Sequence, residues 1–348
     1  MAYISFQPSD YFNTKLYTGN GTTNTAQTGV GFQPDWVWIK ERSSTSSHLI
    51  TDAVRGANKS LSSNLTGAES TETQSLISFD SDGFTVGSGG AVNESSQTYV
   101  AWNWKANGQG SANSDGSITT TYTSANTTSG FSISTYTGTG ANATIGHGLG
   151  VKPSMIICKR LNSTGSWITY HSSIGATKYL YLNATDTEAT NSTVWQDTEP
   201  TTSVFSVGTA SNCNASGGTY VAYCFAEKKG FSKMGLWEGN SSTDGTFVYT
   251  GFSPAFILHK AKGSAQEWNI FDVKRDPYNV AGHLIQPNNN SAESDQTGGS
   301  LYTMDILSNG FKLRGTDTYL NASGQGYIYM AFAEHPLVSS NDIPATAR

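Results

Sequence analysis

The stretch Gly-Phe-Gln-Pro-Asp-Trp-Val-Trp-Ile-Lys at residues 31–40 decides how this sequence is interpreted, because it occurs three times. It returns as Gly-Val-Lys-Pro-Ser-Met-Ile-Ile-Cys-Lys at residues 150–159 and as Gly-Phe-Ser-Pro-Ala-Phe-Ile-Leu-His-Lys at residues 251–260. Each copy places Gly-x-x-Pro before an apolar run that ends in lysine. Self-similarity of this kind predicts a repeated structural unit.

Other landmarks occur in the same order around each copy. An aromatic-x-Gly element precedes the stretch, and an aromatic-rich strand closes the unit. These two elements begin at Tyr17, Tyr136 and Trp237, and at Tyr99, Tyr220 and Tyr329, respectively. Units of about 100 residues can each bury a core. The sequence therefore predicts domains at residues 1–107, 130–232 and 233–348. A Gly/Ser/Thr-rich linker at residues 108–129 has the composition of a flexible or extended spacer.

The local signals predict strands throughout. Residues 36–39 and 179–182 are rich in aromatic and β-branched or aliphatic side chains that suit a half-buried pleated surface. Turn signals such as Asp82-Gly83 and Asn309-Gly310 separate such runs. Short strands between turns indicate antiparallel sandwiches. The predicted fold class is all-β, with three tandem antiparallel β-sandwich domains.

The charge balance excludes several classes of protein. Charged residues make up 13% of the chain, about half the usual share, and the formal net charge is −6. The many aromatic residues argue against disorder, and the missing basic patch argues against nucleic-acid binding. The apolar runs are too short to span a bilayer. The first residues lack a charged segment followed by an apolar one, so we expect no export signal and no membrane insertion.

The residues that could carry chemistry do not form a recognisable catalytic or metal-binding pattern. The six histidines lack metal-ligand spacing, and the three cysteines lack Cys-x-x-Cys spacing. The acidic residues are scattered, with no equivalent placement in all three units except at turns; Asp82 is interpreted as a turn-former. We therefore expect a protein that is not an enzyme and needs no metal or cofactor.

Tryptophan side chains suggest a second kind of site, because aromatic rings can stack on the faces of sugars. Trp36, Trp102 and Trp268 occupy repeated apolar positions and are predicted to be core residues. Trp195 lies instead in a polar, turn-rich segment, and it is the single candidate for an exposed ligand-binding aromatic. The segments that differ most among the units are residues 62–75, 183–199 and 288–299, and binding loops are expected there.

With the repeats laid out, the chain resembles the repeated domain of virion proteins from marine and cyanobacterial bacteriophages. The resemblance rests on residues 31–40, 81–87, 101–108, 145–150 and 217–227, and it extends over nearly the whole chain. It implies concanavalin A-like (jelly-roll type) sandwiches in tail-fibre-like or other surface proteins of the particle. It carries no catalytic residues.

These observations lead to three functional hypotheses. The first is a non-enzymatic protein of the virion surface that attaches to a host glycan or protein, as tail fibres do. The second is a head-decoration or other fixed component of capsid or tail, favoured because the chain lacks a coiled-coil trimeriser and a collagen-like shaft. The third is a glycan depolymerase, which needs convergent carboxylates. Expected partners are other virion proteins and further copies of the chain, as a trimer by analogy.

Overall fold

The repeated stretches form the strands predicted for them. The computed structural model describes residues 6–299, 301–334, 337–338 and 344–345. Within these residues the chain is all-β, apart from a 3-10 turn at Pro8–Asp10 and three helices of four residues each. We call residues 1–107 unit 1, residues 130–232 unit 2 and residues 233–348 unit 3.

The elements follow the same order in each unit. Unit 1 contains β1 (Phe12–Thr18), β2 (Thr25–Thr28), β3 (Trp36–Glu41), β4 (Leu49–Asp52), β5 (Lys59–Ser60), β6 (Ser70–Thr71), β7 (Leu76–Asp80), β8 (Gly83–Val86), α1 (Gly90–Asn93) and β9 (Thr98–Trp104). Unit 2, with the strand before it, contains β10 (Tyr122–Asn126), β11 (Phe131–Thr137), β12 (Ala143–Gly146), β13 (Met155–Arg160), β14 (Ile168–His171), β15 (Lys178–Tyr181), β16 (Ala189–Thr190), α2 (Ser192–Trp195), β17 (Val204–Val207), α3 (Ser211–Asn214) and β18 (Thr219–Phe225). Unit 3 contains β19 (Ser232–Glu238), β20 (Phe247–Tyr249), β21 (Pro254–Ala261), β22 (Asn269–Asp272), β23 (His283–Leu284), β24 (Ser294–Asp295), β25 (Met304–Leu307), β26 (Gly310–Leu313) and β27 (Gly326–Ala333), and β28 (Leu337–Val338) and β29 (Pro344–Ala345) pair after it.

Each unit is a β-sandwich of two antiparallel sheets. The larger sheet has the order β1-β9-β3-β4 in unit 1 and β19-β27-β21-β22 in unit 3. The same four-strand order in unit 2, β11-β18-β13-β14, is extended on both sides to seven strands. The smaller sheet is β2-β8-β7, β12-β17 or β20-β26-β25. An apolar layer fills the space between the two sheets of each unit.

The larger sheets are buried on both faces, because their outer faces meet one another. Side chains alternate along a strand, so Val37 and Ile39 pack inside unit 1 while Trp36 and Trp38 point the other way. Trp36 and Trp38 join a cluster of buried residues drawn from all three units, which we call the central core. Each unit thus has a core of its own, and the shared central core holds the three units together.

Three equivalent aromatic side chains meet at the middle of the central core. Trp104, Phe225 and Phe332 each stand at or near the end of the closing strand of their unit. Their ring centroids lie 6.4 Å apart for Trp104 and Phe225, 6.1 Å for Phe225 and Phe332, and 5.6 Å for Trp104 and Phe332. We call these residues the axial triangle, since they mark a pseudo-threefold axis relating the units.

Backbone hydrogen bonds close the units into a ring around this axis. The Glu69 amide of unit 1 donates to the Leu161 carbonyl of unit 2, at 2.8 Å. Glu188 of unit 2 donates in the same way to Lys262 of unit 3, and Glu293 of unit 3 donates to Arg42 of unit 1, both at 2.8 Å. The variable segments 62–75, 183–199 and 288–299, which we call the straps, therefore run across the seams between units.

The straps correct one expectation about charge. The acidic residues were expected to have no equivalent positions outside turns, yet Glu69, Glu188 and Glu293 are equivalent. Their carboxylates pair with Arg55, with Lys178 and Lys262, and with Arg42 and Arg275, respectively. The expectation was wrong because strap length and composition differ among units. The short matching motif Ala-Glu-Ser at residues 68–70 and 292–294 was the available signal.

The predicted spacer between units 1 and 2 is ordered where it pairs. β10, at residues 122–126, adds to the outer edge of β11 in antiparallel register. Of the two alternatives, a flexible or an extended spacer, these residues take the extended one, because threonine and tyrosine have high β-propensity and the edge of β11 offers free backbone groups. Asp35 holds the preceding turn by accepting hydrogen bonds from the Ala106 and Gly108 amides, at 2.7 and 3.1 Å.

The structure also shifts the closing landmark of unit 3 by two residues. Tyr327, not Tyr329, is equivalent to Tyr99 and Tyr220. Each of these hydroxyls donates to a carbonyl nine residues upstream, at 2.6–2.7 Å. Strand register agrees. The residues three positions after these tyrosines, Trp102, Tyr223 and Met330, pair with equivalent residues of the neighbouring strand, which are Trp38, Ile157 and Leu258. A shift of two residues keeps every side chain on its predicted face.

A close backbone approach explains the aromatic-x-Gly element. A Cβ atom at Gly19 would lie 2.2 Å from the Glu94 carbonyl oxygen. The corresponding distances are 2.5 Å from Gly138 to Ala215 and 2.3 Å from Gly239 to Ala322. The glycine is therefore required in each unit, because any side chain would collide with the loop before the closing strand.

Three equivalent lysines lie buried near the seams. Lys40, Lys159 and Lys260 end the repeated stretches, and all three are fully buried. Their ammonium groups donate only to backbone carbonyls, such as Glu41, Arg160 and Ala261, at 2.5–2.7 Å. Burial lowers the pKa of each lysine to about 8, because the charged form loses hydration that carbonyl groups replace only in part.

We expect the axial triangle to control the stability of all three units together. Replacing Phe225 with alanine should lower the free energy of unfolding by about 3–5 kcal/mol, because it leaves a cavity in a closely packed core. Calorimetry should show one cooperative transition for the wild-type chain and for Phe225→Ala. Tyr278→Ala, at a position that is 82% exposed, is the control and should change stability by less than about 0.5 kcal/mol. Separate transitions for the units would contradict a shared core.

The buried lysines predict a dependence of stability on pH. In the unfolded chain a lysine binds its proton up to about pH 10.4, whereas these lysines release it near pH 8 in the folded chain. Between these values the unfolded state binds more protons, so the lysines make stability rise with pH. Denaturant unfolding at about pH 7.5 and pH 9.5 should show the wild-type chain gaining stability relative to Lys159→Met. Buried tyrosines and cysteines are common to both proteins and cancel. An unchanged difference between the two proteins would refute the prediction.

Candidate functional site

The predicted ligand-binding residue Trp195 is in the core. Its side chain is 2% exposed and makes edge-to-face contacts with Tyr170 and Phe205 inside unit 2. The prediction of an exposed aromatic was wrong because the polar residues around it serve a helix cap. Asn191 accepts a hydrogen bond from the Thr193 amide at the start of α2, and this turn directs Trp195 inward. Trp36, Trp102 and Trp268 are buried, as predicted.

The described histidines are dispersed and mostly buried. Burial lowers the pKa of His48 and His259 to about 3 and of His171 to about 4, so these rings are neutral. His48 accepts a hydrogen bond from the Trp38 indole at 2.9 Å and contacts the Gln286 carbonyl across a seam. Trp167 and Trp268 occupy the place equivalent to His48. Their indoles donate across the other two seams, to the carbonyls of Ser62 and Tyr181 respectively. His335 lies outside the described residues.

The three cysteines are unpaired and buried. Burial raises the pKa of the Cys158, Cys213 and Cys224 thiols, so they remain protonated at neutral pH. The described part of the chain contains no group of three side chains that could hold a metal ion. None of its helices is long and apolar enough to cross a membrane.

A groove on the surface of unit 3 has the composition of a binding site. It has a volume of about 300 Å³. It lies between the third strap and the two loops that precede β25 and follow β26, which contain Tyr302 and Tyr319. We call it the unit-3 groove and define it by its polar and aromatic lining residues: Gln286, Ser291, Ser294, Gln296, Tyr302 and Tyr319. Leu284 and Ala292 also line the groove, so every lining residue that the structure describes is uncharged.

Two tyrosines form the aromatic part of the unit-3 groove. Tyr302 and Tyr319 are half-buried, with ring centroids 5.2 Å apart and planes at 65°. Burial raises the pKa of Tyr302, and so does the Asp317 carboxylate, to which the Tyr302 hydroxyl donates a hydrogen bond. Such a pair presents a ring face and a ring edge to one ligand.

Amide and hydroxyl groups form the polar part of the groove. The Gln296 amide donates to the Ser294 hydroxyl at 2.7 Å, and the Asn289 amide donates to the Gln286 side-chain oxygen at 2.6 Å. These contacts hold neutral donors and acceptors in place along the strap. The arrangement suits an uncharged ligand with several hydroxyls and an apolar face, and Asp317, which bonds to Tyr302, is an acidic neighbour of the groove.

Unit 2 carries an aromatic pair at a related place. Leu180 in unit 2 and Ile285 in unit 3 are equivalent, because they pair with Thr169 and Ile270 on equivalent strands. Tyr179 and Tyr181 stand on either side of Leu180, as Leu284 and Gln286 stand on either side of Ile285. The two tyrosines are therefore equivalent to Leu284 and Gln286. Their rings are 5.1 Å apart at 72°, and both are half-buried.

The equivalent place in unit 1 has no aromatic side chain. Ser60 and Ser62 stand where unit 2 has Tyr179 and Tyr181, since Leu61 pairs with Ile50. They line a groove of about 260 Å³ together with Ser70 and Glu72 of the first strap. The three units thus share one surface position, which carries two tyrosines in unit 2 and adjoins Tyr302 and Tyr319 in unit 3.

Sequence reasoning missed both pairs. Tyr302 and Tyr319 are distant in sequence and belong to loops that only the folded chain brings together. Tyr179 and Tyr181 had a signal, because residues i and i+2 of a strand lie on the same face. The expectation that binding residues lie near the variable segments stays a prediction, and the straps do line the grooves of units 1 and 3.

The chain also matches a described protein family. No curated protein matches its sequence. The family model described as a domain of unknown function, DUF7483, matches residues 7–336, which span all three units and the segment between units 1 and 2. The chain therefore belongs to the DUF7483 family.

Proposed function

We propose that this chain is a non-enzymatic surface protein of a bacteriophage particle that attaches to the host by binding a neutral glycan. The observation that carries the glycan assignment is the Tyr302–Tyr319 pair in an uncharged groove. The virion assignment rests on the resemblance of the repeated sequence to phage virion proteins. In this proposal each sandwich is of the concanavalin A-like, jelly-roll type.

The chemistry of the groove matches that of a pyranose ring. A sugar offers a face of C–H groups, which packs on an aromatic ring, and an edge of hydroxyls, which exchanges hydrogen bonds with amides and other hydroxyls. Gln286, Gln296 and Ser294 provide such groups beside the tyrosines. An uncharged lining also avoids desolvating ions, which would oppose the binding of a neutral ligand.

The ring of units adds avidity to this contact. The tyrosine pairs of units 2 and 3 belong to one closed body, so their separation is constant. Two sites at a constant separation can bind two residues of one polysaccharide, and the second contact then forms at high effective concentration. Weak single contacts become a firm attachment in this way. We propose that other virion proteins hold the chain on the particle surface, with a trimer as the expected oligomer.

Removing the tyrosines tests the proposal. Binding of the purified full chain to host surface polysaccharide and to an array of neutral and charged glycans should fall about ten-fold for Tyr302→Ala, or about 1.4 kcal/mol. The double variant with Tyr319→Ala should bind still less. Tyr278→Ala removes a tyrosine that is 82% exposed and lies outside the groove lining, and it should bind like the wild type.

Two outcomes would contradict this proposal. One is a wild-type chain that retains no neutral glycan. The other is an equal loss of binding for Tyr278→Ala and Tyr302→Ala, which would assign the effect to general surface character. Halo formation on host lawns by the purified chain would instead favour a depolymerase.

A specific observation favours fixed decoration as the second candidate function. Phe247 and Tyr249 of β20 are 44% and 63% exposed, on the outer face of the smaller sheet of unit 3. Exposed aromatic side chains at i and i+2 suit a contact with another protein. Hundreds of copies per particle on a quantitative gel would favour decoration, and a few copies would favour a tail appendage.

A further inference from the structure

A second groove lies at the seam between units 3 and 1, beside the outer edge of β1. It has a volume of about 260 Å³. Unit 1 contributes Phe12, Asn13 and Thr14 of β1, and unit 3 contributes residues around Ala255, Val273 and Glu334. We call it the β1 groove.

The equivalent place at the seam between units 1 and 2 is filled by the chain itself. β11 corresponds to β1, because Phe131 pairs with Phe225 as Phe12 pairs with Trp104. Strand β10 covers the outer edge of β11. β10 also contacts unit 1. The backbone amide of Asn107 donates to the Ser124 hydroxyl, and the side-chain amide of Asn126 donates to the Ala106 carbonyl.

The unit-3 wall of the β1 groove corresponds to that unit-1 wall. The Val273 amide donates to the Ala255 carbonyl as the Ala53 amide donates to Asp35. The register of the closing strands places Glu334 where unit 1 has Ala106, the residue that β10 touches. The β1 groove is therefore the place that a strand such as β10 would occupy beside β1.

The edge of β1 has the backbone groups that strand pairing requires. Tyr11 and Gly19 bond toward β9, so alternation directs the backbone groups of Phe12, Thr14 and Leu16 away from it. The outward Thr14 amide donates to the Asn13 side-chain oxygen, at 3.0 Å, a local contact that an incoming strand would replace. Among the described residues, no strand pairs with this edge. The equivalent residues Phe131, Ile133 and Thr135 face β10.

An independent observation marks the groove as incomplete. The Thr14 hydroxyl is buried, in a residue that is 8% exposed, and it has no hydrogen-bond partner among the described residues. Buried hydroxyls in folded proteins are nearly always bonded. A ligand that enters the groove with a polar group would satisfy it.

We propose that the β1 groove binds an extended strand of a second polypeptide, with small uncharged side chains at its centre. The strand pairs antiparallel with Phe12–Leu16, as β10 pairs with β11. Small side chains are required because the filled seam accommodates Ser124 and Ala125 at the corresponding place. This is addition of a strand to a sheet edge, in which backbone hydrogen bonds supply affinity and the groove supplies specificity. It does not depend on glycan binding.

A peptide with the sequence of residues 120–128 is the probe. Fluorescence anisotropy with the full chain should show saturable binding of the labelled peptide. The same peptide with Ser124→Pro should bind at least about ten-fold more weakly, because proline removes the amide that would donate at the centre of the pair. This comparison alters only the peptide, so it does not depend on the folding of a protein variant.

Filling the groove locates the binding. Ala255→Trp in the full chain should abolish peptide binding, whereas Val151→Trp, at an exposed position of unit 2, should not change it. Thermal unfolding checks that both variants fold. Equal binding to the wild type and Ala255→Trp would overturn the proposal, since the peptide would then have exchanged with β10 or bound elsewhere. A chain that dimerises through the groove and binds no peptide would overturn it too.

Discussion

The contact of Trp104, Phe225 and Phe332 at one axis is the constraint on which the rest of the structure depends. Three rings can meet there only if each larger sheet turns its outer face to the other two. The strands of those sheets must then be buried on both faces, as β3 is over its whole length. Such a sheet cannot be left in water, because its exposed outer face would be a large apolar patch. The units are therefore parts of one body.

This arrangement explains where the few charges of the chain are. With only 13% charged residues, the protein still buries Lys40, Lys159 and Lys260 and places a glutamate of each strap at a seam. Arg55 and Arg275 are buried beside Asp52 and Asp272. Buried ion pairs add little net stability but are costly to break. Charge in this protein thus specifies how neighbouring units dock, and uncharged groups are left to line the unit-3 groove.

The straps connect architecture to the candidate site. A strap has to cross the seam, so its backbone is constrained by hydrogen bonds to the neighbouring unit and by a glutamate at the seam, and its other side chains differ among the units. The unit-3 groove is lined by such residues, including Ser291, Ser294 and Gln296. Variation among straps therefore changes the lining of the grooves without changing the ring. The short strand before the strap differs too, with Ser60 in unit 1 where unit 2 has Tyr179.

By itself the sequence determined the threefold repeat, the all-β class and the faces of the repeated strands, because turn chemistry and a period of two act over a few residues. Even the two-residue error at Tyr329 kept its side chains on the correct faces. Only the tertiary structure decided that the units close into a ring, that Trp195 is buried, that residues 122–126 form a strand, and that Tyr302 meets Tyr319. Those outcomes depend on surfaces far apart in the chain. Strands that are apolar on both faces do not reveal which neighbour covers each face until they pack.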